Sequence, residues 1–267
     1  MQQRLLLGLA VMLLTGWGGF PRPVRFDQAP PPLKLPQPLP DRVLHVPILL
    51  YHRVSAEVAG LPGLTVSPTD FEAEMAWLHG AGFHAITQLQ LFDALEHGAV
   101  LPTRPVMITF DDGYRDVLWN AAPVLHRLHM PATAYVITAR IDDGDPSFLS
   151  WPELAHLRAL GFDIGSHTVH HTDLTAVPSL TAYTELWRSR RELERRLGGR
   201  VQWLAYPLGH ADERVAKLAA AAGYVLAMTE NDGVAQRARE PLLLDRERVL
   251  PTTGVAGVQA LVESAAG

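Results

Sequence analysis

Pro105-Val106-Met107-Ile108-Thr109-Phe110-Asp111-Asp112-Gly113-Tyr114 is an apolar, β-favouring run that stops abruptly at two adjacent carboxylates and a glycine. Neighbouring acids repel, so a fold that sets both at the end of a buried strand has a charge to neutralise or a proton to move. The competing reading is a solvated turn, because Asp-Asp-Gly is also good turn chemistry. The sequence on either side decides between them.

Outward from this stretch the same unit recurs: a short apolar run, a polar tip, then a helical pattern. Apolar runs fall at residues 46–50, 83–86, 106–110, 132–137, 162–166 and 201–206, with two more strand candidates at 224–228 and 246–250. Helices are expected from Ser67-Pro68, from Leu89 to His97 with Thr87 as its cap, over 114–129, and from Ser150-Trp151-Pro152-Glu153 to Leu160. Further helices are expected over 179–197, 211–222 and 255–264. Capping residues open several of them, and Gly161, Gly198-Gly199 and Gly223 close three. An alternation of this kind, repeated about seven times, predicts an α/β fold of parallel strands with helices outside. A closed barrel is one solution and an open doubly wound sheet the other. No G-x-G-x-x-G follows the first strand, so a dinucleotide site lacks its signature. Composition shows no internal break, and one domain is expected over residues 42–267.

The N-terminus has a different character. Arg4 and the apolar run Leu5 to Leu14 have the form of an export signal or signal anchor over residues 1–20, too short for a bilayer span of about 20 apolar residues. The chain has no cysteine, which removes both a lipid-modified Cys and disulfide stabilisation. Eight prolines between Pro21 and Asp41 predict an extended, semi-rigid linker. The protein is therefore expected to be exported, to the periplasm or the exterior, with a membrane tether if the N-terminal segment is retained. A formal net charge of −5 offers no basic footprint for nucleic acid.

In a parallel α/β fold the strand tips share one face. Tyr51-His52, Asp111-Asp112, residues 167–171 and Tyr206-Pro207-Leu208-Gly209-His210 all follow strands and are expected to converge there. Ser166-His167-Thr168-Val169-His170-His171 places three imidazoles in five residues. On a helical turn, His167 with either His170 or His171 would share a face and grip one metal ion. Two imidazoles and one carboxylate leave coordination positions open, as in a catalytic divalent centre. One aspartate would then bind the metal and the other take a proton from water, which predicts hydrolysis of an acyl or amide bond.

These motifs resemble those of the polysaccharide deacetylases, carbohydrate esterase family 4. Thr109-Phe110-Asp111-Asp112-Gly113-Tyr114 is similar to their first motif, His167-Thr168-Val169-His170-His171 to the second, and Ala205-Tyr206-Pro207-Leu208-Gly209 to the third. Val46-Pro47-Ile48-Leu49-Leu50-Tyr51-His52 further resembles the exported branch that deacetylates β-1,6-linked poly-N-acetylglucosamine. The resemblance implies a distorted (β/α)7 barrel with one divalent ion, zinc before cobalt or nickel. By motif position, Asp111 would be the general base, and Asp112, His167 and His171 the metal ligands. Tyr206 and Pro207 would line an acetyl pocket, and Tyr114 with Trp151 would offer a sugar-stacking wall unless they belong to the core.

Two departures stand out. Where many members carry an arginine that orients the base, this chain has Ala205, and no histidine follows Gly233 to serve as the general acid. His52 is the first candidate for that proton, with a structural histidine as its alternative role, and His210 is the second. The expected activity is N-deacetylation of an N-acetylglucosamine-containing polysaccharide. The alternatives are O-acetyl esterase action on xylan-type glycans and a non-catalytic glycan-binding homologue. A two-acid phosphatase is disfavoured because its loop requires D-x-D spacing.

Overall fold

Strands buried on both faces read as near-continuous apolar runs, and Ile48-Leu49-Leu50 and Val106-Met107-Ile108 take that form. The computed structural model describes residues 41–57 and 61–264. The expected signal (1–20) lies outside them, as does the linker (21–41) apart from Asp41. The runs become β1 (Ile48–Tyr51), β2 (His84–Ala85), β3 (Pro105–Phe110) and β4 (Ala132–Val136). They continue as β5 (Phe162–Ser166), β6 (Trp203–Ala205), β7 (Leu226–Met228) and β8 (Glu247–Arg248).

All pairings among them are parallel, in the order β7-β6-β5-β4-β3-β1-β8, with β2 added to the start of β3. Leu244 bridges Met228 in parallel while β8 pairs with β1, so residues 244–248 touch both ends of the sheet. The sheet thus curls into a distorted (β/α)7 barrel within the unit Lys34–Gly267. Two short pairs were not legible in the sequence: Val43–His45 antiparallel to Ala235–Arg237, and Arg53–Val54 parallel to Thr65–Val66. Pairings of two or three residues carry no readable period.

The helices are α1 (Pro68–Gly80), α2 (Gln88–His97), α3 (Ala122–Arg127), α4 (Thr138–Asp142), α5 (Trp151–Ala159), α6 (Ser179–Leu197), α7 (Glu213–Ala222) and α8 (Gly254–Glu263). Ser67 caps α1 and Asp212 caps α7, while Thr87 with Gln90 and Ser150 with Glu153 form capping boxes on α2 and α5. The helix expected over 114–129 is shorter and irregular. Tyr114 bridges Phe148 instead, and a π-helical turn at Val117–Ala121 precedes α3. Pro123 explains the wide turn, because it has no N–H to donate back to Trp119 and its ring crowds that carbonyl. Among the described residues no helix is long and apolar enough to cross a membrane.

The core-facing stripe of α1 contains Phe71, Met75 and Leu78, and also Glu74, whose side chain has no solvent exposure. Tyr51 Oη donates to Glu74 Oε2 at 2.9 Å, and Oε1 has no hydrogen-bond partner among the described residues. Burial pushes the Glu74 carboxyl up from 4.5 to about 7, against the opposing Tyr51 hydrogen bond. The folded state therefore holds this proton more tightly than the unfolded chain. The stability it contributes is complete below about pH 4.5 and is lost as pH rises through about 7. Thermal denaturation from about pH 5 to pH 8 should show wild-type protein losing on the order of 2–3 kcal/mol relative to Glu74→Gln. Parallel pH profiles for the two proteins would assign the dependence to another group.

Candidate active site

Successive side chains on a strand point to opposite faces, so two adjacent aspartates reach one site only if the chain turns between them. β3 ends at Phe110, and Asp112 adopts the left-handed conformation at φ 71°, followed by Gly113 at φ 83°. A Cβ on Gly113 would stand 2.9 Å from Val136 Cγ1, so the turn is both conformationally and sterically specified. The result is that Asp111 Oδ2 and Asp112 Oδ1 lie 3.9 and 3.5 Å from one atom, His167 Nε2.

His167 follows β5 and is almost fully buried. Its Nδ1 lies 2.8 Å from the Ala205 carbonyl, which can only accept. The ring proton therefore sits on Nδ1, and Nε2 presents its lone pair to the aspartates. His171 Nε2 lies 3.7 Å from Asp112 Oδ1, with the two imidazole centroids 4.7 Å apart. The segment joining them is not the helical turn expected from the spacing. It is an irregular loop in which Thr168 and His171 take left-handed φ values of 66° and 59°. The loop, not helical periodicity, selects His171 over His170, whose Nδ1 turns away to Glu185 Oε1 at 2.7 Å.

Asp111 has a separate partner. Arg246, just before β8, donates from two nitrogens to its two carboxylate oxygens at 2.8 and 2.7 Å, and both side chains are fully buried. Arg246 Nε donates to the Thr229 carbonyl at 2.7 Å, which fixes the guanidinium plane. This arginine stands in for the one absent at Ala205. Its sequence signal was weak, because Arg246 stands in the charged run Asp245-Arg246-Glu247-Arg248, which reads as a solvated stretch. Glu230, also unanticipated, joins His52 and Asp111 in a second cluster whose nitrogen and oxygen atoms all lie within 4.8 Å of one another. Arg248 pairs with Glu230 as Arg246 pairs with Asp111, so both carboxylates of this cluster already have a cation.

The charges follow from these neighbours. Burial alone raises the Asp111 carboxyl, but Arg246, His167 and His52 outweigh it and bring the group down to about 2. Burial raises Asp112 and the Asp111 charge adds to the rise, while His167 and, more weakly, the Arg140 guanidinium oppose it. Burial lowers His167 and His171, and the aspartates only partly offset this, so neutral imidazoles face the site. His52 is lowered to about 4 by burial, against Asp111 and with Arg246 and Arg248 adding to the fall.

The other expected site residues are engaged in contacts of their own. Tyr114 is largely buried, stacked on Phe148 at 4.8 Å with the Arg53 guanidinium 5.2 Å from its ring centre. Its hydroxyl is hydrogen-bonded to Asp112, so it braces the carboxylate rather than forming an open wall. Trp151 donates to Asp142, and its ring is covered by Arg196. Tyr206 is fully buried and donates its hydroxyl to the Leu242 carbonyl, and Pro207 is buried beside it. Neither side chain lines an open acetyl pocket; the exposed residue of that motif is Leu208, left-handed at φ 60°. His210 belongs to neither cluster and binds Asp173 through Nδ1 at 2.8 Å.

Ligand atoms about 2.1 Å from one divalent ion stand about 3.4 Å apart at the tetrahedral angle. The separations of 3.5 and 3.7 Å from Asp112 to the two imidazoles match, and both rings are held neutral, so the donor set fits such an ion.

A profile of the family described as polysaccharide deacetylase matches residues 99–227. A Bacillus subtilis (strain 168) protein whose name assigns it to the polysaccharide deacetylases is 31% identical over 219 residues, 82% of this chain and 76% of that one. The poly-β-1,6-N-acetyl-D-glucosamine N-deacetylase of Staphylococcus aureus (strain MSSA476) is 27% identical over 161 residues, 54% of each chain. Among solved structures, a Streptococcus pyogenes deacetylase in complex with acetate is similar at TM-score 0.77 and 27% identity, over 83% of this chain and 100% of the other. A polysaccharide deacetylase from Bacillus cereus gives TM-score 0.73 at 29% identity, over 82% and 69% of the two chains. Aligned over most of its length with a relative of that name and built on the same barrel, this chain belongs to the polysaccharide deacetylase family.

Proposed function

We propose that this chain is an exported, metal-dependent hydrolase that removes N-acetyl groups from an N-acetylglucosamine-containing polysaccharide. The observation that carries the reading is the pairing of two unlike carboxylates: Asp112 facing two neutral imidazoles, and Asp111 held beside them by Arg246. The likeness to the Staphylococcus aureus N-deacetylase supports the amide substrate, over the half of each chain that it covers.

Asp112, His167 and His171 would hold one divalent ion, zinc before cobalt or nickel. Such an ion, when bound, polarises the acetyl carbonyl and makes a water acidic enough to lose a proton near neutral pH. Asp111 is ionised at any working pH and accepts that proton as general base. Arg246 fixes the position of both its oxygens, so the accepting atom needs no reorientation. The departing sugar amine then needs a proton. His52 is neutral and adjacent to Asp111, and it is assigned to take the proton that Asp111 has gained and pass it on. A non-catalytic role loses half its motive, because the guanidinium missing at Ala205 is supplied by Arg246.

Asp111→Asn is expected to lower acetate release from acetylated glucosamine oligomers by about 10²–10⁴-fold. Zinc stoichiometry should stay at the wild-type value, and unimpaired turnover would remove Asp111 from the base role. Arg246→Lys keeps the charge and loses the two parallel donors. Its acid limb of kcat/KM should move to higher pH, because a less tightly paired Asp111 binds its proton more readily; an unmoved limb would mean that Arg246 does not tune the base. With zinc, cobalt and nickel supplied in turn, chitin oligomers should lose acetyl groups faster than acetyl-xylan. The opposite preference would establish the O-acetyl esterase reading.

A further inference from the structure

The loop from His167 to His171 carries two of the three expected ligands, yet it has no regular secondary structure and holds two non-glycine residues in left-handed conformations. Each such residue is strained and persists only where the surroundings over-determine it. Four consecutive backbone N–H groups show how that is done. Thr168 N–H donates to Ser166 Oγ at 3.1 Å and His171 N–H to Thr168 Oγ1 at 3.1 Å. The two between them, Val169 and His170, both donate to Glu185 Oε2, at 3.1 and 2.8 Å. The other oxygen of the same carboxylate, Oε1, lies 2.7 Å from His170 Nδ1.

Glu185 sits on the buried stripe of α6 with Ala182, Leu186, Ser189 and Leu193, a place where a carboxylate is retained only if it is paired. One turn further on, Ser189 Oγ is 2.7 Å from Ser166 Oγ, the oxygen that holds the Thr168 N–H. One face of a 19-residue helix therefore fixes the loop directly through Glu185 and indirectly through Ser189. The carboxylate also removes His170 from competition, so that His171 is the imidazole presented beside His167.

We infer that Glu185 is the positioning residue of the metal centre: its carboxylate holds the loop in the one conformation that sets His171 against Asp112. The inference rests on the proposed reading of Asp112, His167 and His171 as metal ligands. Glu185 touches neither metal nor substrate in this role and acts through the backbone of the loop.

Zinc and cobalt binding by the full chain, measured by calorimetry and by the cobalt absorption spectrum, tests it. Glu185→Ala is expected to weaken the dissociation constant about 10- to 100-fold, the usual effect of removing a partner that orients a ligand, and to alter the cobalt spectrum. Glu185→Gln keeps an oxygen for the two N–H groups and should recover most of the affinity. Leu193→Ala, on the same buried stripe but away from the loop, should lower Tm and leave the dissociation constant unchanged. A folded Glu185→Ala protein with wild-type affinity would overturn the inference while leaving the ligand assignment intact. If Glu185→Ala fails to fold, Glu185→Asp replaces it: its carboxylate is retracted by one methylene from the two N–H groups, so weakened metal binding is expected, and a folded Glu185→Asp protein with wild-type affinity would overturn the inference. Wild-type protein that binds neither ion would instead overturn the ligand assignment itself.

Discussion

A carboxylate with no solvent exposure must be paired, and the whole active face is arranged around how Asp111 meets that requirement. The partner is Arg246, itself fully buried, which gives two parallel hydrogen bonds to Asp111 and a third to the Thr229 carbonyl. Breaking such a pair from one side leaves an uncompensated buried charge and costs about 3–5 kcal/mol. Arg246 lies in residues 244–248, the stretch that bridges β7 on one side and pairs with β1 on the other. The residue that neutralises the site is thus part of the seam that closes the barrel, and a misclosed barrel would strand Asp111 beside a second acid.

That neutralisation divides the labour between neighbours one residue apart. The guanidinium satisfies Asp111, while Asp112 feels only the weaker field of Arg140 and is left to face the imidazoles. A left-handed turn at Asp112 swings it toward His167 and His171. Without Arg246 the two acids would compete for the same imidazoles and for each other's protons. With it, one carboxyl is driven far down and the other up, the separation that lets adjacent acids take different roles.

The parallel barrel was legible because its central strands are buried on both faces and its helices carry caps and glycine stops that operate within a few residues. α6 at Ser179–Leu197 and β5 at Phe162–Ser166 fall where the pattern put them. The site was legible to the extent that the chemistry sits at strand tips: Asp111, Asp112, His167 and His171 do converge. What escaped was every feature decided at long range. Spacing alone suggested a helical turn for the histidines, whereas the loop is held by Ser166, by Glu185 from another element, and by the Thr138 and Ala139 N–H groups, which donate to the Thr168 and Val169 carbonyls. Tyr206 reads as a pocket residue by motif position, but its hydroxyl is claimed by Leu242, 36 residues away. Glu185 had a sequence signal, a charge on the apolar stripe of an amphipathic helix, that only a buried partner explains.

The displaced arginine shows what a motif in such a fold does and does not specify. A barrel brings the tips of all its strands to one ring, so a guanidinium at the axis can be delivered from any of them. What Asp111 requires is a planar fork at hydrogen-bond distance with its own plane fixed, and the geometry is indifferent to whether the fork arrives from β6 or from the approach to β8. Ala205 is then the complement of Arg246 rather than a lesion. The Ala205 carbonyl on β6 takes the His167 Nδ1 proton at 2.8 Å, and the buried aspartate takes its arginine from the approach to another strand. The absence of one motif residue in a barrel is informative only after the other strand tips have been searched for a side chain that meets the same requirement.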